Sequence, residues 1–176
     1  VGKPDLSTTV FGKKIDMPIF LSPTAMQRLY HHDGDKASAR AAEKYGTFYS
    51  MSTMANNTIE EIAEISKGPK LFQLYVHKDQ SITDDLIERC RTSGYDGMCL
   101  TVDTLVAGNR ERDHRTGFTT PPKLTLQSLM SFAMRPEWVF NYFTHKKFEL
   151  SNVKNKTDKG TNISKSVIEY INEQYD

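Results

Sequence analysis

Polar side chains recur where the short apolar segments of this sequence end, and they are its first candidates for chemistry. The first four segments are completed or followed by Ser22, Pro23, Thr24, Ser52, Thr53, Gln73, Tyr75, Thr101 and Asp103. In parallel α/β proteins, the loops at the carboxyl ends of the strands line the ligand site. Hydroxyl, amide and phenol groups gathered at that edge would bind a ligand with many hydrogen-bond acceptors. Any single Ser or Thr at such a position has an equally good alternative role as a helix cap.

The elements that must position these residues follow from the hydrophobic pattern between Met17 and Asp103. Short apolar runs alternate with amphipathic stretches, which predicts a βα repeat. The predicted strands are residues 18–21, 47–51, 71–76 and 97–102, and the predicted helices span 33–45, a stretch from Thr58, and 81–92. Near-continuous apolar strands favour a parallel sheet that is covered on both faces. Periodicity leaves a doubly wound sheet and half of a (β/α)8 barrel equally open.

Local signals define where these helices begin and end. Thr58 and Glu61 have the spacing of a capping box, which predicts the start of the second helix. Gly46 and Gly94 follow the first and third helical stretches, as glycines at helix ends commonly do. The packing side of the first helix is predicted to carry Ala37, Ala41 and Ala42.

The regular pattern breaks after Asp103, where we predict a long insertion over 104–163 and a last short helix within 164–176. Residues 124–148 are rich in Leu, Met and aromatic side chains and are split by Arg135-Pro136. A proline there predicts two short helices that break at this point. Charged residues inside the stretch exclude a membrane-spanning helix.

Composition excludes several classes of protein. The 23 basic and 22 acidic residues leave a formal net charge of +1, so nothing predicts binding to nucleic acid. The sequence lacks GxGxxG after a strand and lacks GxxxxGK[ST], which argues against dinucleotide and nucleoside-triphosphate folds. Two cysteines and an amino terminus without signal or transit character predict a cytoplasmic protein with reduced thiols.

His31, His32 and Asp33 are the nearest approach to a metal-binding motif. Side chains of adjacent residues are expected to diverge, and the sequence shows no further ligand nearby. We therefore predict no metal site.

Four motifs, taken together, carry a resemblance to a known family. They are residues 17–26 (MPIFLSPTAM), 72–75 (FQLY), 100–104 (LTVDT) and 108–111 (GNRE). Their types, order and spacing resemble those of the FMN-dependent L-2-hydroxy-acid oxidases and dehydrogenases. Residues 135–138 and 148–153 in the insertion resemble most the respiratory L-lactate dehydrogenase branch. The resemblance implies a (β/α)8 TIM barrel, of which this chain holds the first four βα units and a long insertion after the fourth strand.

The resemblance also implies roles for individual residues. Those implied to hold the flavin are Pro23, Thr24 and Ala25 in the first loop, and Ser52, Gln73 and Thr101 at the edge of its ring. Tyr75 and Arg110 would bind the substrate, and Asp103 would orient a catalytic histidine. Outside these motifs, Tyr75 would be interpreted as a core aromatic residue, Arg110 as a loop charge and Asp103 as a cap.

The implied reaction is the FMN-dependent oxidation of an L-2-hydroxy acid, L-lactate in particular, to the 2-oxo acid. Electrons would pass to a quinone or another acceptor; an oxidase that uses oxygen is the alternative within the family. None of the five histidines lies in a motif that matches the family's catalytic histidine. We therefore expect the chain to be an inactive fragment of a homo-oligomeric parent, and a non-catalytic assembly module is the alternative from another class.

The insertion predicts one further partner. Its aromatic and Met residues are interleaved with Lys123, Arg135, Lys146 and Lys147, a pattern typical of a segment that rests on a membrane surface. We expect peripheral contact through 124–148, on the cytoplasmic face of the inner membrane. A lid over the active site and an oligomer contact are the alternatives.

Overall fold

A computed structural model describes residue 2 and residues 4–102, 111–116, 125–146 and 148–153. Its first element is an antiparallel hairpin of β1 (Thr8–Val10) and β2 (Lys13–Ile15). Phe11 and Gly12 form the turn with φ values of 48° and 72°, and a two-residue turn with both φ positive matches the twist of the strands. The sequence did not predict this hairpin, because its strands are three residues long and largely polar.

The hairpin packs against the sheet that follows it. Ile15 is buried against Phe48 and Leu71, which lie at the amino ends of two sheet strands. Lys13 Nζ lies 3.2 Å from Oδ1 of Asp96, and Asp96 directly precedes a third strand of the sheet. The hairpin therefore covers the end of the sheet opposite to the polar strand ends.

Three parallel strands form the sheet, in the order β3 (Tyr49–Ser52), β4 (Lys70–Leu74) and β5 (Gly97–Leu100). The first predicted strand, 18–21, adds only a parallel bridge between Leu21 and Tyr49 within the described residues. Spatial order thus follows chain order without the reversal that marks a doubly wound sheet. This is one wall of a barrel, and no closed barrel forms within the described residues.

Three helices cover one face of the sheet: α1 (Asp35–Lys44), α2 (Ile59–Ile65) and α3 (Gln80–Thr92). The predicted capping box of Thr58 and Glu61 is present at α2, and Gly46 ends α1 with a φ of 60°. The main core lies between helices and sheet and includes Ala39, Ala42, Tyr49, Met51, Ile62, Phe72 and Leu86. The prediction for Ala41 is wrong: it is exposed, because Ala39 and Ala42 lie on the inward face of the helix.

The described residues after β5 form three more helices: α4 (Glu111–Thr116), α5 (Leu126–Ala133) and α6 (Pro136–Thr144). Pro136 is the first residue of α6, so the predicted break is confirmed. The helix predicted within 164–176 lies outside the described residues. No helix in the described ranges has the length and hydropathy needed to cross a membrane.

Residues 148–153 return from α6 to the start of α2. Asn152 Oδ1 accepts a hydrogen bond from the N–H of Ile59 at 3.0 Å, and Asn152 Nδ2 donates to the carbonyl of Asn57 at 3.1 Å. Leu150 and Val153 are buried in the main core. This segment anchors the insertion to the barrel wall.

Candidate active site

The carboxyl ends of β3, β4 and β5 are joined by one chain of side-chain hydrogen bonds. Ser52 Oγ donates to Gln73 Oε1 at 3.2 Å, and Gln73 Nε2 donates to Thr101 Oγ1 at 2.6 Å. Ser52 and Gln73 are paired in register, and Thr101 directly follows β5. Because side chains alternate along a strand, Gln73 lies on the sheet face opposite to Phe72, which packs under the helices. The structure thus brings together three of the residues that the sequence singled out.

The orientation of the Gln73 amide follows from its neighbours. The backbone N–H of Thr53 can only donate, and it lies 3.3 Å from Gln73 Oε1. The amide nitrogen must therefore face Thr101. Within the described residues, this leaves one N–H of Gln73 and the hydroxyl hydrogen of Thr101 without an acceptor. Both are available to a ligand that accepts hydrogen bonds.

Thr53 also belongs to this network, although the sequence indicated only that it lies at a strand end. It is fully buried, and its Oγ1 donates to the carbonyl of Gln73 at 2.5 Å and accepts from the N–H of Tyr75 at 3.1 Å. It therefore links the end of β3 to the residues that follow β4. A second polar residue at a strand end was its only signal in the sequence.

The loop after Leu21 carries the other group of predicted cofactor contacts. Pro23 and Thr24 are exposed and Ala25 is half-buried. The N–H of Met26 donates to the carbonyl of Met54 at 3.2 Å, which ties this loop to the one after β3. Thr24 Oγ1 donates to the carbonyl of Ser22 at 3.4 Å. In the described part of the chain, the backbone N–H groups of Thr24 and Ala25 have no acceptor, so they are further donors for a ligand.

The predicted substrate residues are only partly described. Tyr75 is half-buried directly beyond β4 and is held through its backbone by Thr53. Asp103 and Arg110 lie outside the described residues. Their roles and that of Tyr75 stay predictions.

A buried carboxyl group that the sequence did not single out supports the loop after β3. Asp35, the first residue of α1, is fully buried and accepts hydrogen bonds from Tyr49 Oη at 3.0 Å and from the N–H of Asn56 at 2.9 Å. Its burial raises the pKa of this carboxyl group, against the opposing effect of these hydrogen bonds. Asp35 thus links α1 to Tyr49 of β3 and to Asn56 in the loop that follows.

The expectation that His31 and His32 diverge is wrong. Residues 32–34 form a turn after a short 3-10 helix (Gln27–Leu29), so the backbone is not extended, and the two rings stack with centroids 4.2 Å apart. His31 Nδ1 accepts a hydrogen bond from the N–H of Asp33 at 3.2 Å, and Asp33 pairs with Arg40. Two of the three groups are therefore already engaged within the protein.

A sequence model described as FMN-dependent dehydrogenase matches residues 1–176, and the chain belongs to this family. It is 45% identical over 128 residues to glycolate oxidase 1 of Zea mays, covering 73% of this chain and 35% of that protein. It is 42% identical over 137 residues to an L-lactate oxidase of Nostoc sp., covering 76% of this chain and 38% of that protein. The chain thus spans about a third of the length of these relatives.

Solved structures extend the likeness into the insertion. The monotopic membrane protein (S)-mandelate dehydrogenase matches with a TM-score of 0.85 at 29% identity, covering 98% of this chain and 45% of that chain. A mandelate oxidase matches with a TM-score of 0.61 at 37% identity, covering 65% of this chain and 34% of that chain. These findings confirm the predicted family, its FMN cofactor and the partial barrel.

The residues present fit the flavin ring of that cofactor. A flavin presents several ring nitrogens and oxygens that accept hydrogen bonds, and this site offers donors from Gln73, Thr101, Thr24 and Ala25 with no acceptor among the described residues. The donor set and the cofactor are therefore complementary.

Proposed function

We propose that the whole protein oxidises an L-2-hydroxy acid, with L-lactate as its substrate, to the 2-oxo acid. The observation that carries this proposal is the hydrogen-bond chain of Ser52, Gln73 and Thr101 across three strand ends. When bound, FMN takes two electrons from the α-carbon of the substrate. The remaining work of the chain is to hold and orient the reactants.

Each residue of the site has a proposed task. The spare N–H of Gln73 and the hydroxyl of Thr101 donate to the ring edge, and Ser52 keeps the Gln73 amide in register. The loop from Pro23 to Ala25 supplies backbone donors, with the φ of Pro23 restricted by its ring.

The substrate side of the site rests on the resemblance. The phenol of Tyr75 donates to the carboxylate or hydroxyl of the substrate, and Arg110 makes a charge-assisted contact with the same carboxylate. Asp103 orients the histidine that removes the substrate proton and raises the basicity of that histidine.

Replacing Gln73 by Met tests the cofactor site, because Met keeps the length of the side chain but removes the amide. We expect FMN affinity of the whole protein to fall by up to about tenfold, since one neutral hydrogen bond contributes about 0.5–1.5 kcal/mol and about 1.4 kcal/mol corresponds to a factor of ten. Fluorescence quenching of added FMN measures it. Gln80→Met, on the exposed start of α3, is the matched control. Equal FMN affinity in Gln73→Met and the unaltered protein would contradict the proposed site.

Substrate and electron acceptor need a separate experiment. The whole protein is assayed with L-lactate, glycolate and (S)-mandelate, each with oxygen and with a soluble quinone as acceptor. We expect the highest kcat/KM with L-lactate and quinone. Formation of one hydrogen peroxide per substrate oxidised would show that the protein is an oxidase. A higher kcat/KM with mandelate or glycolate would show that one of these, and not lactate, is the substrate.

We also propose that the α5–α6 region contacts a membrane surface, so that electrons pass to a membrane quinone. Its exposed large apolar side chains are Leu126, Leu129, Met130, Phe132, Met134, Phe140, Tyr142 and Phe143. An apolar surface of this kind beside basic residues suits an interfacial segment. The match to a monotopic membrane protein over 98% of the chain supports the same proposal. The proposed location is the cytoplasmic face of the inner membrane, and a homo-oligomeric state also stays a prediction.

Vesicle sedimentation tests this contact. Phe143→Ser removes a side chain that is 79% exposed on α6, and we expect less of the whole protein to sediment with phosphatidylcholine vesicles. Tyr45→Ser removes an exposed aromatic residue next to α1 and is the control. If Phe143→Ser sediments as before but changes the oligomeric state, the surface is a subunit contact. If it sediments as before but changes the KM for the substrate, the surface is a lid over the active site.

A further inference from the structure

A cavity of about 420 Å³ lies between residues 28–32 and α6, apart from the strand ends. Two contacts join its walls. Trp138 Nε1 donates to the carbonyl of Leu29 at 2.9 Å, and the rings of His32 and His145 pack with centroids 4.1 Å apart. These two contacts fix the position of α6 relative to residues 28–32 on either side of the cavity.

Arg28 is the unusual residue of this cavity. It is only 9% exposed, and within the described residues neither its Nε nor its Nη1 has a hydrogen-bond partner. His32 Nδ1 is also buried and has no hydrogen-bond partner within the described residues. Burying two guanidinium nitrogens without hydrogen-bond acceptors is unfavourable, because their lost hydration is not replaced. A bound group that accepts hydrogen bonds and carries negative charge would remove that cost.

The protein fixes Arg28 in this position. Its backbone N–H donates to Asn56 Oδ1 at 2.9 Å. A Cβ at Gly34 would lie only 2.8 Å from Arg28 Cγ, so the absence of a side chain at Gly34 makes room for the stem of the arginine. The backbone of Arg28 is thus held by Asn56, and its stem has room beside Gly34.

The charges that line the cavity favour an anion over a metal ion. Arg28, Arg135 and Lys146 face a single carboxylate, Glu137. Lys146 is partly balanced by Glu61 and Glu149, at 3.7 and 3.6 Å. The two remaining arginines still exceed the one acid. A cation would meet this positive field.

We propose that this cavity binds a phosphate group, with Arg28 and His32 as its buried donors and Arg135 and His145 on the α6 side. Guanidinium and imidazole N–H groups together offer more donors than a carboxylate accepts, whereas a phosphate has three or more acceptor oxygens. The phosphate belongs either to a small soluble ester or to the headgroup of an anionic phospholipid, since α6 also carries the exposed Phe140 and Phe143.

The test uses the whole protein saturated with FMN, so that the cofactor's own phosphate does not compete. Inorganic phosphate is titrated by calorimetry against the unaltered protein and against Arg28→Met, which keeps the apolar stem. We expect affinity to fall at least tenfold in Arg28→Met. Arg40→Met removes an exposed arginine that pairs with Asp33 and is the matched control, with unchanged affinity.

A second variant covers the case in which Arg28→Met does not fold. Arg135→Met changes an exposed residue and should weaken phosphate binding severalfold. Equal affinity in every variant that folds, or no measurable phosphate binding by the unaltered protein, would overturn the proposal.

The source of the phosphate is then assigned by competition. Glycerol phosphate that displaces inorganic phosphate as strongly as short-chain phosphatidic acid points to a soluble ester. Tighter displacement by phosphatidic acid, with Arg28-dependent sedimentation on phosphatidylcholine vesicles that contain phosphatidic acid, points to the lipid headgroup.

Discussion

The strand ends and the α5–α6 region differ in how far their side chains are buried and hydrogen-bonded. Ser52, Thr53 and Gln73 are buried and hydrogen-bonded to one another across adjacent strands. On α5 and α6, Phe143 is 79% exposed and Met134 is 74% exposed. Cofactor chemistry needs donors at defined positions, and a ladder of paired strands supplies them. A contact surface needs apolar area instead, which peripheral helices present without a rigid sheet beneath them.

The two regions also depend on different interactions for their place in the fold. The strand ends are positioned by the ladder and the core beneath it. The insertion is attached through the Trp138 contact to Leu29 and through residues 148–153. Substitutions of the same kind in the two regions should therefore have different consequences.

The largest contrast is expected from removing one aromatic ring in each region. Phe72→Ala empties part of the main core and should lower the free energy of unfolding by about 3–5 kcal/mol. Phe143→Ala should change it by less than about 0.5 kcal/mol, because the ring is exposed. Urea denaturation of the whole protein measures both. Similar losses would show that α6 is packed in the assembled protein.

The anchor of the insertion should give the next largest effect. Asn152→Ala leaves the buried N–H of Ile59 without its acceptor and should cost about 1–3 kcal/mol. Hydrogen exchange over 136–146 should become faster, because α6 loses its attachment. Asn152→Asp keeps the oxygen that Ile59 needs but loses the donor to the Asn57 carbonyl, so it tests the second hydrogen bond separately. Unaltered exchange in Asn152→Ala would show that other contacts, such as Trp138 with Leu29 and Ser151 with Asn56, are enough to hold the insertion.

Two serine substitutions give a finer comparison. Ser52→Ala removes the donor to Gln73 Oε1 in the buried network and should cost about 1–1.5 kcal/mol. Ser128→Ala removes the matching hydroxyl of the α5 capping box and should cost about 0.5 kcal/mol, with its effect confined to α5. Denaturation and FMN titration are the measurements. Ser52→Ala should also weaken FMN binding, whereas Ser128→Ala should leave it unchanged. An equal loss of FMN affinity in both variants would argue against a cofactor site at the strand ends.

The smallest effect concerns the ion pair that supports the anchor. Arg89 hydrogen-bonds both carboxylate oxygens of Glu60, at 2.6 and 2.8 Å, and also the carbonyl of Asn152. The hydrogen bonds from Arg89 lower the pKa of Glu60 from 4.5 to about 2, against the opposing effect of partial burial.

A lowered carboxyl pKa means stability that is present above pH 4.5 and lost as pH falls toward 2. Glu60→Gln should remove this pH-dependent part. Its cost at neutral pH should stay below about 1 kcal/mol, because the Glu60 side chain is half exposed and solvent screens the pair. Denaturation between pH 2 and 7 measures it, and parallel pH profiles of the two proteins would argue against the pair.

Local signals accounted for much of the fold. The capping box at Thr58, the helix end at Gly46 and the break at Pro136 each depend on the chemistry of residues a few positions apart, and each is present in the structure. The grouping of Ser52, Gln73 and Thr101 followed from one rule, that parallel strands end at a shared edge. The hairpin of β1 and β2 escaped prediction, because its short polar strands carry little hydrophobic signal.

By itself the sequence determined the family, the βα order and the strand ends at which polar side chains gather. Only the tertiary structure decided which distant residues meet: Asp35 with Asn56, His32 with His145, and Ile59 with Asn152. It also left two guanidinium nitrogens of Arg28, Nε and Nη1, buried without a hydrogen-bond partner among the described residues. The physical reason is that hydrogen bonds and burial depend on positions in space, and contacts between residues up to 113 positions apart leave no periodic trace in the chain.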